Sequence, residues 1–314
     1  MTTVKTNSLK AWGLAMRPKT LTAAAVPVML AVALALKDCA ALGANIRWVP
    51  ALLCLLFAWV MQIDSNLVND YFDFKHGNDD ETRLGPKRAC AEGWITLPAM
   101  RRGIVATTLL GCAIGLPLVL FGGWEMVGVG VCCVVFCFLY TTCLSYLGLG
   151  DLLVLAFFGI VPVCCTYYLV MPLGRQWVSA EAFLFSLSCG MVVDTLLIVN
   201  NYRDHNNDKR AGKKTLVVHI GKLWAERLYA ALGLGATLMA LGCMGADIIG
   251  SSTPGWQAIA LPFAATVYMG LHLSTYHKMR AIGEGRQLNK VLGLTARNIF
   301  VFGLAMSIAI LCLC

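Results

Sequence analysis

Charged residues are scarce in this sequence. Only 13% of the 314 residues are charged, whereas 58% are hydrophobic, and the mean hydropathy is +0.71. So little charge cannot keep the surface of a globular domain solvated, which excludes an ordinary soluble protein. The sequence therefore predicts a protein that resides in lipid.

Signals for zinc, disulfides and separate domains are also missing. The five histidines have no partner at metal-ligand spacing, and the 14 cysteines include no Cys-x-x-Cys pair. The cysteines lie mostly within apolar runs, where they fill space rather than form a disulfide framework. Because no Ser/Gly/Pro-rich linker divides the chain, we expect one polytopic domain over residues 10–314, preceded by a frayed cytoplasmic tail over residues 1–9.

The long apolar runs that are present have membrane-spanning length. A hydrocarbon core is crossed by about 17–25 residues, and nine such runs occupy residues 20–36, 49–68, 103–122, 124–144, 149–171, 180–199, 228–250, 256–276 and 298–314. With nine spans, every one of the 25 Lys and Arg residues except Lys37, Arg47 and Arg175 falls on one side. This asymmetry follows the positive-inside rule and predicts an all-α membrane protein with a cytoplasmic N-terminus.

The net charge of +8 does not indicate a nucleic-acid partner. The excess positive residues lie beside predicted membrane ends, and no nucleic-acid motif accompanies them. Topology, together with binding of anionic lipid headgroups or an anionic substrate, accounts for the charge. Membrane lipid is therefore an expected partner, and nucleic acid is not.

Two acidic clusters follow predicted spans on the cytoplasmic side. Asp70, Asp73 and Asp79 follow the second span, and Asp204 and Asp208 follow the sixth. If both helices continue, spacings of three and four residues place Asp70 with Asp73, and Asp204 with Asp208, on one helix face. Carboxylates at a membrane boundary need a cationic partner, and Mg²⁺ prefers carboxylate oxygens, water and substrate phosphates. The clusters predict Mg²⁺ carrying a diphosphate.

Neighbouring residues extend this predicted site. Asn69 and Asn200 supply neutral oxygen ligands, and Arg83, Lys213 and Lys19 are candidates to bind the remaining diphosphate oxygens. The plain alternative is that each acidic residue caps a helix and each basic residue only sets topology. The occurrence of two such clusters on the same side favours the functional interpretation.

Residues 66–79 read Asn-x-x-Asn-Asp-x-x-Asp with a later Gly-x-Asp, which resembles the first signature of the UbiA superfamily of intramembrane prenyltransferases. Residues 200–216, with Asn-Asn-Tyr-Arg-Asp-x-x-x-Asp and a trailing Gly-Lys-Lys-Thr-Leu, are similar to its second signature. The resemblance is closest to the MenA branch, the 1,4-dihydroxy-2-naphthoate polyprenyltransferases. Landmarks at 17–21, 149–159 and 295–297 extend it over almost the whole chain. The turn 140–151 departs from the family pattern, being shorter and without that pattern's Gly, Pro and basic residue.

The resemblance implies nine transmembrane helices around a central cavity that opens laterally to lipid. It also implies transfer of a polyprenyl chain from its diphosphate to an aromatic acid. The Mg²⁺ ligands it implies are Asn69, Asp73, Asp204 and Asp208, with Asn200 in support.

For dihydroxynaphthoate, the resemblance implies attack by the carboxyl-bearing carbon and loss of carbon dioxide, which gives demethylmenaquinone in menaquinone biosynthesis. Asp70 and Asp79 are candidates to accept a ring hydroxyl proton. Asn66, Arg17 and Tyr140 are candidates to contact the aromatic substrate.

Two alternatives stay open from the sequence. Another aromatic acceptor, such as 4-hydroxybenzoate or homogentisate, would need the same metal and diphosphate chemistry. A carboxylate-lined transporter is the alternative of another class, although a transporter would place its acids near mid-span on broken helices. We expect a multi-pass protein of the bacterial inner (cytoplasmic) membrane with its active site facing the cytoplasm.

Overall fold

The computed structural model describes residues 4–77, 83–250 and 255–313, and within these ranges the chain is helical, without a strand. The helices, in chain order, are α1 (Leu9–Ala15), α2 (Leu21–Ala41), α3 (Trp48–Lys75), α4 (Leu97–Gly115), α5 (Val119–Gly122), α6 (Glu125–Leu139), α7 (Gly150–Leu155), α8 (Val161–Val170), α9 (Ala180–Arg210), α10 (Leu216–Gly250), α11 (Gly255–Ile282) and α12 (Leu288–Leu311). Two π-helical turns, Tyr140–Leu144 and Ala156–Ile160, follow α6 and α7.

The helices account for the predicted membrane spans. Among the described residues, eight helical stretches are long and apolar enough to cross a membrane. The remaining predicted span corresponds to α11, a helix of 28 residues that packs against α10 and α12. The prediction of an all-α, nine-span protein is therefore confirmed in outline, although α10 begins at Leu216, before the predicted start of its span. The central cavity stays a prediction.

Helices α3 and α9 are longer than a membrane crossing requires. They have 28 and 31 residues, which at about 1.5 Å per residue exceeds the roughly 30 Å of a hydrocarbon core. Their last turns therefore project past the apolar region and carry the two acidic clusters. The predicted helical continuation through both clusters is confirmed, because α3 ends at Lys75 and α9 at Arg210.

The core lies around α9. This helix packs against α7, α8, α10 and α12, and its Phe185 is buried in a cluster with Tyr167 of α8 and Phe302 of α12. Helix α6, by contrast, has no buried residue and exposes Val131 and Val135. An apolar helix that the protein does not cover is explained by contact with lipid.

The segment before α1 is anchored to the protein. The Thr6 hydroxyl donates to the Gly93 carbonyl at 3.1 Å, and the Asn7 backbone N–H donates to the Trp94 carbonyl at 2.8 Å. The Thr96 N–H donates to the Asn7 side-chain oxygen at 3.1 Å. These contacts dock the second half of the predicted tail on the segment that precedes α4. The sequence did not predict this docking, because the partners lie far apart along the chain.

Candidate active site

The ends of α3 and α9 meet at one membrane face. Lys213, in the turn after α9, places its Nζ 3.5 Å from Oδ1 of Asp73 on α3. Asp208 lies close enough to Asp73, Asp204 and Lys213 for their charges to interact. The structure therefore brings the two acidic clusters together, and we call the group Asp73, Asp204 and Asp208 the acidic rim.

The loop between α3 and α4 returns to the rim. Arg88 donates from Nη2 to Oδ2 of Asp73 at 2.8 Å, and its side chain is almost fully buried. The next two residues, Ala89 and Cys90, donate their backbone N–H groups to the two carboxylate oxygens of Asp70, each at 2.9 Å. Asp70 is 0% exposed. Its carboxylate thus fixes the loop that presents Arg88 to Asp73.

A second arginine organises the α9 side of the rim. Arg203, 3% exposed, donates from Nε to Oδ1 of Asp204 at 2.8 Å and from Nη2 to Oδ2 at 2.5 Å. It also donates to the side-chain oxygens of Asn200 and Asn289, both at 2.9 Å. Asn289 in turn donates to the carbonyl of Leu84 at 2.8 Å. Arg203 therefore connects α9 with α12 and, through Asn289, with the loop that carries Arg88.

Asn69 and Asn66 face different partners on α3. The Thr141 hydroxyl donates to Oδ1 of Asn69 at 2.5 Å, which ties the rim to the π-helical turn after α6. Nδ2 of Asn66 donates to the carbonyl of Met16 and to the Thr20 hydroxyl, each at 3.0 Å. Asn66 therefore holds the turn that contains Arg17.

Arg17 is presented in an uncommon backbone conformation. Its φ of 51° lies in the left-handed region, where a non-glycine residue is strained and persists only when its surroundings hold it. The two hydrogen bonds from Asn66 supply such support. Arg17 lies close enough to Asp70, Asp73 and Arg88 for their charges to interact, so the strained turn delivers a cation to the rim.

The other predicted residues are placed as follows. Tyr140 lies within electrostatic reach of both Asp73 and Asp208. Arg83 donates from Nε to the Pro86 carbonyl at 3.1 Å, and Lys19 is exposed. The structure thus brings Tyr140 to the rim, whereas Asp79 lies outside the described residues.

Two basic residues of the site, Arg88 and Arg203, are absent from the predicted ligand set. Nothing in the sequence distinguished Arg88 from the other basic residues of its loop. Its position at the rim follows from a tertiary contact, that of Asp70 with the backbone of Ala89 and Cys90. Arg203 did have one, since it directly precedes Asp204 at a membrane end, where a buried arginine needs a carboxylate partner.

The rim is not a preformed metal cage. Among the residues that the structure describes, no three Asp, Glu, His or Cys side chains converge closely enough to hold a metal ion. The oxygens of Asp73 and Asp204 instead contact Lys213, Arg88 and Arg203. Positive and negative groups therefore alternate around the rim.

A comparison with known protein families identifies the family of this chain. Residues 24–302 match the UbiA prenyltransferase family. The chain is a member of that family. The predicted family is therefore confirmed.

UbiA-family relatives with a stated activity are similar over most of their length. The 1,4-dihydroxy-2-naphthoate octaprenyltransferase of Escherichia coli is 35% identical over 247 residues, covering 75% of this chain and 77% of that protein. The enzyme of the same name from Mycobacterium tuberculosis is 31% identical and covers 96% of both chains.

Solved structures share the UbiA fold at low identity. The UbiA homologue of Archaeoglobus fulgidus bound to DMAPP and Mg²⁺ has a TM-score of 0.58 and 15% identity, and covers 94% of this chain and 98% of its own. A UbiA homologue of Aeropyrum pernix has a TM-score of 0.66 and 13% identity, with 91% and 97% covered. Family and fold together make this chain a multi-pass integral membrane protein and a prenyltransferase, which disfavours the transporter alternative.

Proposed function

We propose that this protein transfers a polyprenyl chain from polyprenyl diphosphate to 1,4-dihydroxy-2-naphthoate, with loss of carbon dioxide, to give demethylmenaquinone for menaquinone biosynthesis. Membership of the UbiA family supports the reaction class. The acceptor is supported by relatives in Escherichia coli, Haemophilus influenzae, Mycobacterium tuberculosis and Bacillus subtilis that carry this activity in their names.

One structural observation carries the proposal: two acidic clusters that lie far apart in sequence meet at one end of the helix bundle, with Lys213 3.5 Å from Asp73 between them. A rim of alternating carboxylates and cations at one face suits a phosphorylated lipid whose head stays at the membrane surface. The site faces the cytoplasm in this proposal, in a bacterial inner membrane.

The donor set of the rim fits Mg²⁺. Its candidate ligands are the carboxylates of Asp73, Asp204 and Asp208 and the amide oxygens of Asn69 and Asn200, all of them hard oxygen donors. Mg²⁺ is usually held by one or two carboxylates together with water and substrate phosphates, so a rim without a complete cage is suited to bind the ion together with a diphosphate. When bound, Mg²⁺ would neutralise charge that develops on the departing diphosphate.

Basic side chains would hold the rest of the diphosphate. Lys213 and Arg88 already lie at the rim on either side of Asp73, and Arg17 is within electrostatic reach of both Arg88 and Asp73. Arg83 remains a proposed ligand from the same loop. Lys19 is the weakest of the predicted set, since its side chain is exposed.

The allylic carbon would be attacked within the bundle. As its C–O bond breaks, apolar walls exclude water that would otherwise capture the cationic carbon, and the ring carbon bearing the carboxylate forms the new C–C bond. Asp70 was predicted to accept a proton, yet both its oxygens receive backbone N–H groups. Its geometry favours a positioning role, and the same holds for Asn66, which holds the Arg17 turn. The proposed role of Asp79 as a base stays a prediction.

The test is an acceptor competition in membranes that contain the full chain. Labelled polyprenyl diphosphate is supplied with Mg²⁺ and with 1,4-dihydroxy-2-naphthoate, 4-hydroxybenzoate or homogentisate, against membranes that lack the protein. We expect a prenylated, decarboxylated product with the naphthoate alone. Product only with 4-hydroxybenzoate would refute 1,4-dihydroxy-2-naphthoate as the acceptor but not prenyl transfer as the reaction. No prenylated product with any acceptor would refute both.

A further inference from the structure

Two carboxylates deeper in the bundle have no part in the rim. Asp151 lies in the first turn of α7, and Asp194 lies on α9, ten residues before Asp204. At about 1.5 Å per residue, Asp194 is therefore about 15 Å further into the membrane than Asp204. Ionisable residues at such depth are costly and mark functional sites by default.

Close helix packing sets these two residues opposite each other. A Cβ at Gly159 would lie 2.5 Å from the Ser186 carbonyl oxygen, and a Cβ at Gly190 would lie 3.0 Å from the carbonyl oxygen of Leu155. The segment 150–160 and α9 thus run antiparallel with their backbones nearly in contact.

One turn further along, the same register pairs the two acids. Asp151 is four residues before Leu155, and Asp194 is four residues after Gly190, so each lies one turn on along the contacting face. A Cβ at Gly150 would lie 3.3 Å from Leu197 of α9, which brackets the pair from the other side. Their charges are close enough to interact.

Each of the two carboxylates has one buried oxygen without a partner in the part of the chain that the structure describes. Asp194 is only 6% exposed, and among the described residues Oδ1 of Asp194 and Oδ1 of Asp151 are buried without a hydrogen-bond partner. A buried carboxylate oxygen without a partner carries a substantial free-energy cost. These atoms are thus available to a ligand.

A third carboxylate within the membrane-spanning helices, Asp64, has only a structural role and serves as a comparison. Asp64 of α3 is 0% exposed, and both its oxygens accept hydroxyl hydrogen bonds, from Thr107 at 2.5 Å and Thr108 at 2.8 Å. It therefore connects α3 to α4, and each of its oxygens has a partner within the protein. The Asp151–Asp194 pair differs because each of its members has a buried oxygen without a hydrogen-bond partner among the residues described, at a contact between two helical segments.

Tyr140 connects the pair to the acidic rim. Its Cε2 and Oη would lie 3.6 and 3.8 Å from a Cβ at Gly150, the residue before Asp151. The same side chain is within electrostatic reach of Asp151 and Asp194 and of Asp73 and Asp208. Tyr140 is thus close both to the place proposed for the diphosphate and to the carboxyl pair.

We propose that Asp151 and Asp194 share one proton and, below Tyr140, bind a hydroxyl group of the aromatic acceptor and take its proton during transfer; this rests on the proposed function. Two neighbouring carboxylates cannot both ionise without mutual repulsion, and sharing one proton removes it. Such a pair offers one O–H donor and one carboxylate acceptor. A phenolic hydroxyl, itself a donor and an acceptor, matches both.

The proton transfer balances without any further reactant. The ring hydroxyl gives its proton to the pair as the ring carbon bonds to the allylic carbon and the diphosphate leaves with the electron pair of the C–O bond. The bond from the ring to its carboxylate then breaks, and its electron pair restores the aromatic ring and the phenolate. The phenolate finally recovers the proton from the pair.

The test uses the full chain in lipid nanodiscs and steady-state kinetics for each substrate. Variants Asp194→Asn and Asp151→Asn remove the shared proton without changing side-chain size, and Asp64→Asn is the matched control for a buried membrane carboxylate. We expect Asp194→Asn and Asp151→Asn to lower kcat/KM for the acceptor by about 10²-fold or more. The KM for the prenyl diphosphate should stay at the wild-type value, and Asp64→Asn should keep the acceptor KM.

A second readout separates proton transfer from packing. Acceptors with electron-withdrawing ring substituents have more acidic hydroxyls and depend less on a base. The rate of Asp194→Asn relative to wild type should therefore rise with the acidity of the hydroxyl. The double variant should be no worse than either single one, because residues that act as a unit are not additive.

Three results would overturn the proposal. They are wild-type acceptor kinetics in Asp194→Asn and Asp151→Asn, equal losses for both substrates, and a variant-to-wild-type ratio that does not change with hydroxyl acidity. If one variant fails to fold in a thermal-unfolding measurement, the other decides. Failure of the proposed function is distinct, because the wild-type chain would then give no prenylated naphthoate product.

Discussion

Nζ of Lys213 lies 3.5 Å from Oδ1 of Asp73, which joins the turn after α9 to the end of α3. The other oxygen of Asp73 accepts from Arg88 at 2.8 Å, so cations from two different loops meet on one carboxylate. Asp73 would be one of the residues that hold Mg²⁺, and Lys213 and Arg88 would bind the diphosphate beside it. Asp73 is therefore the residue on which both halves of the rim depend.

Substitution of the rim carboxylates should abolish transfer. In Asp73→Ala and Asp208→Ala we expect product formation to fall by about 10²-fold or more, because charge on the leaving diphosphate is no longer compensated. Labelled polyprenyl diphosphate in membranes measures this, with thermal unfolding to show that each variant folds. Glu92→Ala is the control, since Glu92 lies in the loop between α3 and α4 and pairs with the exposed Lys87 rather than with a rim carboxylate. Retained turnover in either rim variant would contradict metal-bridged diphosphate binding.

Removal of divalent metal should stop the reaction reversibly. With EDTA in excess we expect no prenylated product, and added Mg²⁺ should restore the rate, because the rim supplies oxygen ligands without a complete cage. Product formation is followed before and after addition of Mg²⁺, with EDTA pre-saturated by Mg²⁺ as the control. Full activity in EDTA would contradict a metal requirement.

Asp70→Ala should destabilise the loop between α3 and α4. The change removes the Asp70 oxygens to which the buried N–H groups of Ala89 and Cys90 donate, at a cost of about 1–3 kcal/mol for each lost hydrogen bond. We expect a lower midpoint in thermal unfolding, with a smaller shift for Asp70→Asn, which keeps one acceptor oxygen. An unchanged midpoint in Asp70→Ala would show that this carboxylate does not hold the loop.

Asn66→Ala should act through Arg17. Loss of the contacts to Met16 and Thr20 frees the strained turn, and a misplaced Arg17 should reduce kcat/KM by about tenfold or more. Kinetics with each substrate varied in turn measures the effect. Gln62→Ala is the control, because it leaves the contacts of Asn66 with Met16 and Thr20 in place, and its kinetics should stay near wild type. Equal losses in both variants would show that Asn66 does not act through Arg17.

The contact between the segment 150–160 and α9 should not tolerate an added methyl group. In Gly159→Ala the new Cβ would lie 2.5 Å from the Ser186 carbonyl oxygen, and such overpacking costs about 1–3 kcal/mol. We expect a lower thermal midpoint. Gly128→Ala on α6 is the matched control, because nothing lies within 4 Å of its added Cβ. Equal midpoints in the two variants would contradict the close packing.

Features set by local composition were predictable. The apolar runs predicted the membrane-spanning helices, because insertion into a bilayer depends on each segment's own hydropathy. The sidedness that the distribution of Lys and Arg indicates stays a prediction. The spacing of Asp70 with Asp73 and of Asp204 with Asp208 gave the helix faces, because α3 and α9 continue as regular helices through both clusters.

The sequence by itself determined the fold class, the multi-pass character and the family. Only the tertiary structure decided which polar group each side chain meets: Asp70 the backbone of Ala89 and Cys90, and Asn66 the turn around Arg17. It also decided that Asp151 lies opposite Asp194. The reason is physical: hydropathy acts on each segment separately, whereas hydrogen-bond partners depend on how helices distant in sequence pack, and a few close glycine contacts fix that register.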